Sequence, residues 1–130
     1  MEKYLIPFEL AKNLKAKGFD EICLRYYLKN KNIIINGCDK FHEGFNYNTI
    51  ETRISAPMYQ QVVDWFREKH NIELYCPNYY KNSKDYKPEY ESRVNGKQLS
   101  NEFSSSSSVI LSNTYYEALN KAIEYSLTLI

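Results

Sequence analysis

Apolar residues recur at helical spacing in three segments of the chain. The first runs from Pro7 to Lys17, where Leu10, Ala11 and Leu14 lie on one face. Pro7 suits the first turn of a helix, and Gly18 is well placed as the left-handed residue that ends it. We therefore predict a first helix over Pro7–Lys17.

The second segment has the most regular helical pattern. Its apolar stripe comprises Met58, Val62, Trp65 and Phe66. Ser55 can cap this helix, Pro57 suits its first turn, and Asn71 is a plausible left-handed stop. We predict that Trp65, flanked by the other three stripe residues, is a core anchor of this helix.

The third segment begins at Thr114 and runs to the C-terminus. Thr114 and Glu117 have the spacing of a capping box, which satisfies two free backbone N–H groups. One face is predicted to comprise Tyr115, Leu119, Ala122, Ile123, Ser126, Leu127 and Ile130.

Strand patterns occupy the intervals between these helices. Ile22–Leu28 and Ile33–Ile35 flank the polar turn Lys29–Asn32, which predicts a hairpin. Asp39–Thr52 alternates polar and aromatic residues and is predicted to be a loop or a ragged third strand.

A second antiparallel unit is predicted after the second helix. Ile72–Cys76 alternates with period two, as a strand with one buried face does. Tyr90–Val94 and Lys97–Phe103 flank Asn95-Gly96, the dipeptide most typical of a two-residue hairpin turn. Val109–Leu111 is short and apolar and can pack as a strand end.

The predicted order is therefore α-ββ-α-βββ-α. Nothing indicates a parallel crossover, so we expect an α+β fold with an antiparallel sheet, built from two hairpin units, packed against three helices. A chain of 130 residues is near the common size of one domain, and we predict a single domain over residues 1–130.

Charge and hydropathy restrict the partners. Lys and Arg total 17 against 16 for Asp and Glu, so the basic excess of a dedicated duplex-DNA binder is absent. No run approaches the roughly 20 apolar residues of a membrane span, and the N-terminal residues have no signal-peptide pattern. We expect a cytoplasmic protein without a membrane partner.

The cysteines predict neither a disulfide framework nor a metal site. Cys23, Cys38 and Cys76 are odd in number and form no C-x-x-C pair, so three free thiols are expected. Cys38 and His42 lie four residues apart, but no second Cys/His pair lies near them, and a polar loop with one half-buried thiol is favoured over a metal site. We predict no metal and no cofactor.

No catalytic motif appears in the chain. Phosphate loops, dinucleotide fingerprints and nucleophile elbows are absent, and only four glycines are present. His70 follows the second helix, where a histidine interacts favourably with the helix dipole; a general-base role lacks a partner group in the sequence. We therefore expect no enzymatic activity.

Two tyrosine-rich segments interleave aromatic rings with cations, the combination that binds single-stranded nucleic acid. Tyrosine is the compositional outlier, at 13 of 130 residues. The candidate binding residues are Arg25, Tyr27, Tyr79, Tyr80, Lys81, Lys84, Tyr86 and Lys87. The alternative, tyrosines packed on the sheet beside a solvated loop, is favoured because Asp85 and Glu89 dilute the positive charge.

Three stretches of the chain form a joint pattern, namely Pro7–Cys23 (PFELAKNLKAKGFDEIC), Ser55–His70 (SAPMYQQVVDWFREKH) and Tyr115–Glu124 (YYEALNKAIE). Together they resemble a group of small uncharacterised proteins of gut-bacterial phages and integrated mobile elements. The resemblance covers less than half of the chain and implies an origin, not an activity. Its residues are those of helix caps and apolar faces, so it assigns no catalytic residue.

Small accessory proteins of phages usually act by binding, which gives the leading hypothesis. The protein is expected to bind a host protein or a small nucleotide signal in the host cytoplasm, countering a host process such as defence. The alternative is a single-stranded nucleic-acid binder, and an unrecognised small hydrolase ranks third. A symmetric oligomer is compatible with the leading hypothesis.

Overall fold

The computed structural model describes residues 2–30, 32–37, 44–79, 89–100 and 110–130. The chain divides into two compact units, one of Met1–Trp65 with Ile130 and the other of Phe66–Leu129. The prediction that these residues form a single domain stays a prediction, and each unit is described separately below.

Helices and antiparallel strands alternate along the described part of the chain. The helices are α1 (Phe8–Ala16), α2 (Tyr59–His70) and α3 (Tyr115–Leu127). The strands are β1 (Arg25–Leu28), β2 (Ile34–Asn36), β3 (Arg53–Ser55), β4 (Leu74–Tyr75), β5 (Asn78–Tyr79), β6 (Glu89–Glu91), β7 (Arg93–Val94), β8 (Lys97–Gln98) and β9 (Leu111–Ser112). The predicted α+β class is confirmed. The strands form three separate three-stranded sheets, β2-β1-β3, β4-β7-β8 and β5-β6-β9.

Helix α1 of the first unit ends as its sequence predicts. Gly18 adopts φ +88°, and its N–H donates to the carbonyl of Lys15 at 3.1 Å. The N–H of Phe19 donates to the carbonyl of Leu14 at 3.0 Å, which completes a Schellman motif. Leu14 and Phe19 are both buried, so the residue that follows the helix stop packs in the core with the last turn of α1.

The predicted hairpin forms the first sheet of this unit, with β1 in the centre. Tyr27 lies opposite Ile34 of β2 and opposite Ile54 of β3, both in antiparallel register. The third strand is Arg53–Ser55. It follows directly after Asp39–Thr52, the segment predicted to be a loop or a ragged third strand. In the described part of that segment, Tyr47–Thr49 forms a 3-10 helix.

Helix α2 begins later than predicted. Ser55 is not its cap, because it pairs with Tyr26 as part of β3, and Pro57 precedes the first turn. The N–H of Met58 instead donates to Oε1 of Gln61 at 2.9 Å, the glutamine half of a capping box. Asn71 ends the helix at φ +54°, as predicted.

The stripe of α2 is buried except at its start. Val62, Trp65 and Phe66 lie in the core, which confirms Trp65 as a buried anchor. Met58, the first residue of the predicted stripe, is 42% exposed. Met58 precedes the helix and forms an isolated antiparallel bridge with Leu5, so its backbone no longer follows the helical spacing.

In the second unit, the Asn95-Gly96 dipeptide forms the predicted hairpin turn. Val94 lies opposite Lys97, and Asn95 and Gly96 have φ values of 52° and 79°. Positive φ at both positions is what a type I′ turn requires. Asn95 is also tied to the start of β4, because its Oδ1 accepts the Glu73 N–H at 2.8 Å.

Helix α3 begins at the predicted cap. The Thr114 hydroxyl accepts a hydrogen bond from the N–H of Glu117 at 3.1 Å. Five of the predicted face residues are buried, namely Leu119, Ala122, Ile123, Ser126 and Leu127. Tyr115, at the start of the predicted face, is 42% exposed. The helix ends at Leu127 rather than at the C-terminus, which corrects the predicted end.

Candidate binding groove

The two candidate binding residues on β1 have structural partners. Nε of Arg25 donates to Oδ1 of Asn36 at 2.8 Å. Tyr27 is only 4% exposed, its hydroxyl donates to the Ile6 carbonyl at 2.7 Å, and its ring meets Phe8 edge-on at 5.4 Å. A buried ring in this position packs the core and presents no face on which a base could stack.

The other candidate residues lie at or beyond the limits of the described structure. For Tyr79 the backbone is described, within β5. Tyr80, Lys81, Lys84, Tyr86 and Lys87 lie outside the described residues, as do Cys38 and His42. Nucleic-acid binding by the tyrosine–lysine segment therefore stays an untested alternative, and the expectation of no metal at Cys38 and His42 stays a prediction. Within the described ranges, no group of three or more His, Cys, Asp or Glu side chains is arranged to hold a metal ion.

The described thiols are protected from reaction. Cys23 and Cys76 are both free and buried. Burial raises the pKa of the Cys23 thiol from 9.0 to about 12, because the thiolate would be removed from water. The same cause raises the pKa of Cys76 to about 11. Both are protonated at neutral pH and are poor nucleophiles.

A groove of about 620 Å³ opens on the first unit. Pro7 and Phe8 at the start of α1 form one side, and Ile33 and Ile34 at the start of β2 form another. Since Tyr27 and Ile34 are directly opposite each other in the sheet, their side chains lie on the same face. The groove is therefore a depression beside β2, on the face that α1 covers. Most of the residues that line it are apolar or aromatic, although the surface it exposes is more polar than apolar.

One edge of this sheet is already closed by side chains. The outward carbonyl of Arg53 on β3 accepts a hydrogen bond from Nζ of Lys15 at 2.6 Å. The backbone N–H of Arg53 donates to the carbonyl of Ile50. The outward N–H of Ser55 donates to Oδ1 of Asn48 at 2.8 Å. These contacts occupy the positions that a further strand would need.

The opposite edge, on β2, has a different environment. The N–H of Leu28 donates to the carbonyl of Ile33, and the N–H of Gly37 donates to the carbonyl of Leu24. Hydrogen-bonded and non-hydrogen-bonded residue pairs alternate along an antiparallel ladder. Ile34 and Asn36 occupy the non-hydrogen-bonded positions opposite β1, so their N–H and C=O groups point away from it. Among the described residues, no hydrogen bond reaches these outward groups and no strand pairs with this edge.

The charge at the groove is positive. Of the side chains that line it, Lys3 is the one that is charged at neutral pH, and its Nζ lies 5.0 Å from the centroid of the Tyr4 ring. Nζ of Lys12 lies 5.4 Å from the Phe8 ring centroid and 3.5 Å from Oε2 of Glu9. An acidic group entering the groove would therefore meet Lys3.

Sequence patterns did not identify this groove, although one signal was present. Ile33, Ile34 and Ile35 form an apolar run, whereas a strand with one buried face alternates apolar and polar residues. Such a run places at least one isoleucine outside the core, and Ile33 is 52% exposed.

A smaller concavity of about 330 Å³ lies on the second unit, beside the Asn95-Gly96 turn. Tyr125 and Leu129 contribute its exposed apolar surface, and Lys97 contributes its cation. Like β2, β8 is an edge strand that pairs on one side only among the described strands, with β7. The groove on the first unit is the larger of these two concavities.

Comparison with known proteins assigns no relative. No protein-family description matches the chain, and neither curated proteins nor solved structures give a match. No helix within the described ranges has the length and apolar character needed to cross a membrane. The choice of a candidate binding site therefore depends on the groove itself.

Proposed function

We propose that this chain is a non-enzymatic binding protein that holds a segment of a partner protein in the groove of its first unit. The proposal is supported by a groove that combines apolar side chains with a mixed polar surface and lies beside the outward backbone groups of β2. Apolar surface lining a concave site favours burial of a partner's side chains, and free backbone donors and acceptors give that burial an orientation.

The chemistry of the described residues supports binding over catalysis. Cys23 and Cys76 are buried, and the pKa of each thiol is raised, which makes both poor candidates for a nucleophile. The groove itself is lined mainly by apolar and aromatic side chains together with Lys3. These groups can recognise a ligand, but they supply no paired acid and base.

The partner class follows from the resemblance to phage and mobile-element proteins. We propose a host protein, such as a component of host defence, met in the cytoplasm of the host. A small nucleotide signal is the second candidate ligand, because Lys3 could neutralise a phosphate beside the groove.

Affinity capture with matched variants tests the proposal. Tagged wild-type protein, Ile34→Asp and Leu24→Asp are each incubated with lysate of the natural bacterial host. Ile34 lines the groove, whereas Leu24 is 55% exposed on the same unit without lining it. We expect one partner to be retained by wild type and Leu24→Asp and lost with Ile34→Asp. Equal retention by all three proteins would contradict a role for the groove.

A thermal-shift assay distinguishes the nucleotide alternative. A ligand at a hundred times its Kd stabilises a protein by about 2.7 kcal/mol, which such an assay detects. Cyclic nucleotides and ADP-ribose-type nucleotides are expected to leave the melting temperature unchanged. A shift that disappears in Lys3→Glu would make a nucleotide signal the ligand instead.

A further inference from the structure

We infer that the partner binds by adding a β-strand to the open edge of β2, and that the added segment carries an apolar residue next to an acidic one. This inference rests on the proposed function and specifies the chemistry of the partner. It names an extended protein segment as the occupant of the groove.

The backbone geometry favours a strand over other shapes. Ile34 and Asn36 each direct one N–H and one C=O away from β1, along the free side of the sheet. Only an extended chain presents complementary groups at the matching spacing of about 6.6–6.8 Å, two residues along a strand. A helix satisfies its own backbone groups and would leave those of β2 unpaired.

The face of the groove selects the apolar residue. Side chains of a strand alternate between the two faces of its sheet. Every second residue of the added strand would therefore lie on the face shared by Tyr27 and Ile34, where the groove opens beside Phe8. A branched or aromatic side chain at that position would contact the apolar side chains of the groove, among them Ile33, which is 52% exposed.

Charge complementarity selects the acidic residue. Lys3 lines the groove and is the charged side chain among the residues that do so. A carboxylate near the apolar residue would pair with it, whereas a basic segment would be repelled. The expected segment is therefore short, extended, apolar and acidic.

The contrast with β3 makes the choice of edge specific. Lys15, Asn48 and Ile50 already bond the outward groups of β3, so a strand cannot add there without breaking those contacts. Natural sheets often cover an edge in this way to prevent unwanted pairing. The same protection is absent from β2 within the described residues.

A peptide selection provides the test, with a library of random 12-residue peptides as the probe. The library is selected on immobilised full-length protein, and the best binder is resynthesised with single N-methyl groups at successive positions. At the edge of a sheet, only every second N–H of an added strand faces the protein. N-methylation should weaken binding by at least about tenfold at alternate positions and much less at those between them.

Protein variants complete the design. Binding of the selected peptide should be lost with Ile34→Asp and retained with Leu24→Asp, and Lys3→Glu should remove the preference for an acidic peptide. Uniform effects of N-methylation, selection of no peptide, or unchanged binding to Ile34→Asp would each overturn strand addition. A wild-type dimer that Ile34→Asp dissociates would overturn it as well, because a second copy would then occupy the edge.

The experiments distinguish a failure of strand addition from a failure of the groove as the binding site. If host-protein capture depends on Ile34 but the peptides show no alternation, the groove remains the binding site and strand addition is wrong. If capture does not depend on Ile34, the proposed function itself is wrong, whatever the peptides show.

Discussion

Trp65 is the residue on which the first unit depends most clearly for its packing. Its ring centroid lies 5.3 Å from that of Phe19, and its indole N–H donates to Oδ1 of Asp20 at 3.3 Å. Trp65→Ala should lower the free energy of unfolding by about 3–5 kcal/mol, because a large aromatic truncation leaves a cavity. Trp65→Phe is the matched control and should cost less, since it keeps most of the packing and loses the N–H donor. Urea denaturation of the three proteins measures this, and equal stability would contradict a core role.

The buried thiols predict a loss of stability at alkaline pH. Folding raises the pKa of Cys23 to about 12 and that of Cys76 to about 11, so the folded state keeps protons that the unfolded state loses above pH 9.0. Each thiol therefore stabilises the fold fully below pH 9.0, and this contribution falls at up to about 1.4 kcal/mol per pH unit as pH rises towards the folded pKa.

The difference between wild type and Cys23→Ala isolates this effect from other titrating groups. Denaturation at pH 7, 9 and 10.5 should show the wild type losing more stability than Cys23→Ala over the alkaline steps. Parallel curves for the two proteins would show that the Cys23 thiol ionises freely in the folded state.

Single residues were predictable from sequence where a periodic pattern determined them. Trp65 and Phe66 lie inside a regular helical stripe, and both are buried. Met58 and Tyr115 lie at helix starts, where the incoming chain leaves the side chain partly exposed. The prediction of free thiols holds for Cys23 and Cys76, whereas Cys38 lies outside the described residues.

Helix α1 offers a test of a backbone stop, because Gly18 adopts φ +88° and a Cβ built on it would meet nothing within 4 Å. Gly18→Ala should therefore cost about 1–2 kcal/mol through backbone strain alone. Gly18→Asn should cost less, since asparagine tolerates the left-handed region. Thermal denaturation measures both variants, and an alanine variant as stable as the asparagine variant would contradict the Schellman ending.

Elements were predictable from sequence where their signals are local. The Asn95-Gly96 turn and the Thr114 cap each depend on a few neighbouring residues, and both form as predicted. The start of α2 depends instead on Ser55 pairing with Tyr26, which lies 29 positions earlier in the chain. The groove is likewise assembled from α1, β1, β2 and the start of α2, so no single segment predicts it.

At the scale of the whole molecule, a net charge of +1 argues against a nucleic-acid binder. Single-stranded DNA and RNA should bind weakly or not at all at physiological salt in a fluorescence-anisotropy titration. Micromolar or tighter binding that falls steeply with salt would contradict this expectation. Loss of that binding in the double variant Lys81→Glu, Lys84→Glu would assign it to the tyrosine–lysine segment.

Amide hydrogen exchange, followed by NMR on the isotope-labelled protein with and without the selected peptide, measures strand addition at β2 residue by residue. Exchange at Ile34 and Asn36 should slow by at least about tenfold on binding, because their outward N–H groups become hydrogen-bonded. Exchange at Arg53 and Ser55 should not change, since those N–H groups already donate to Ile50 and Asn48. Unchanged exchange at Ile34 and Asn36, with new protection confined to Phe66–Leu129, would show that the groove beside β2 is not the binding surface.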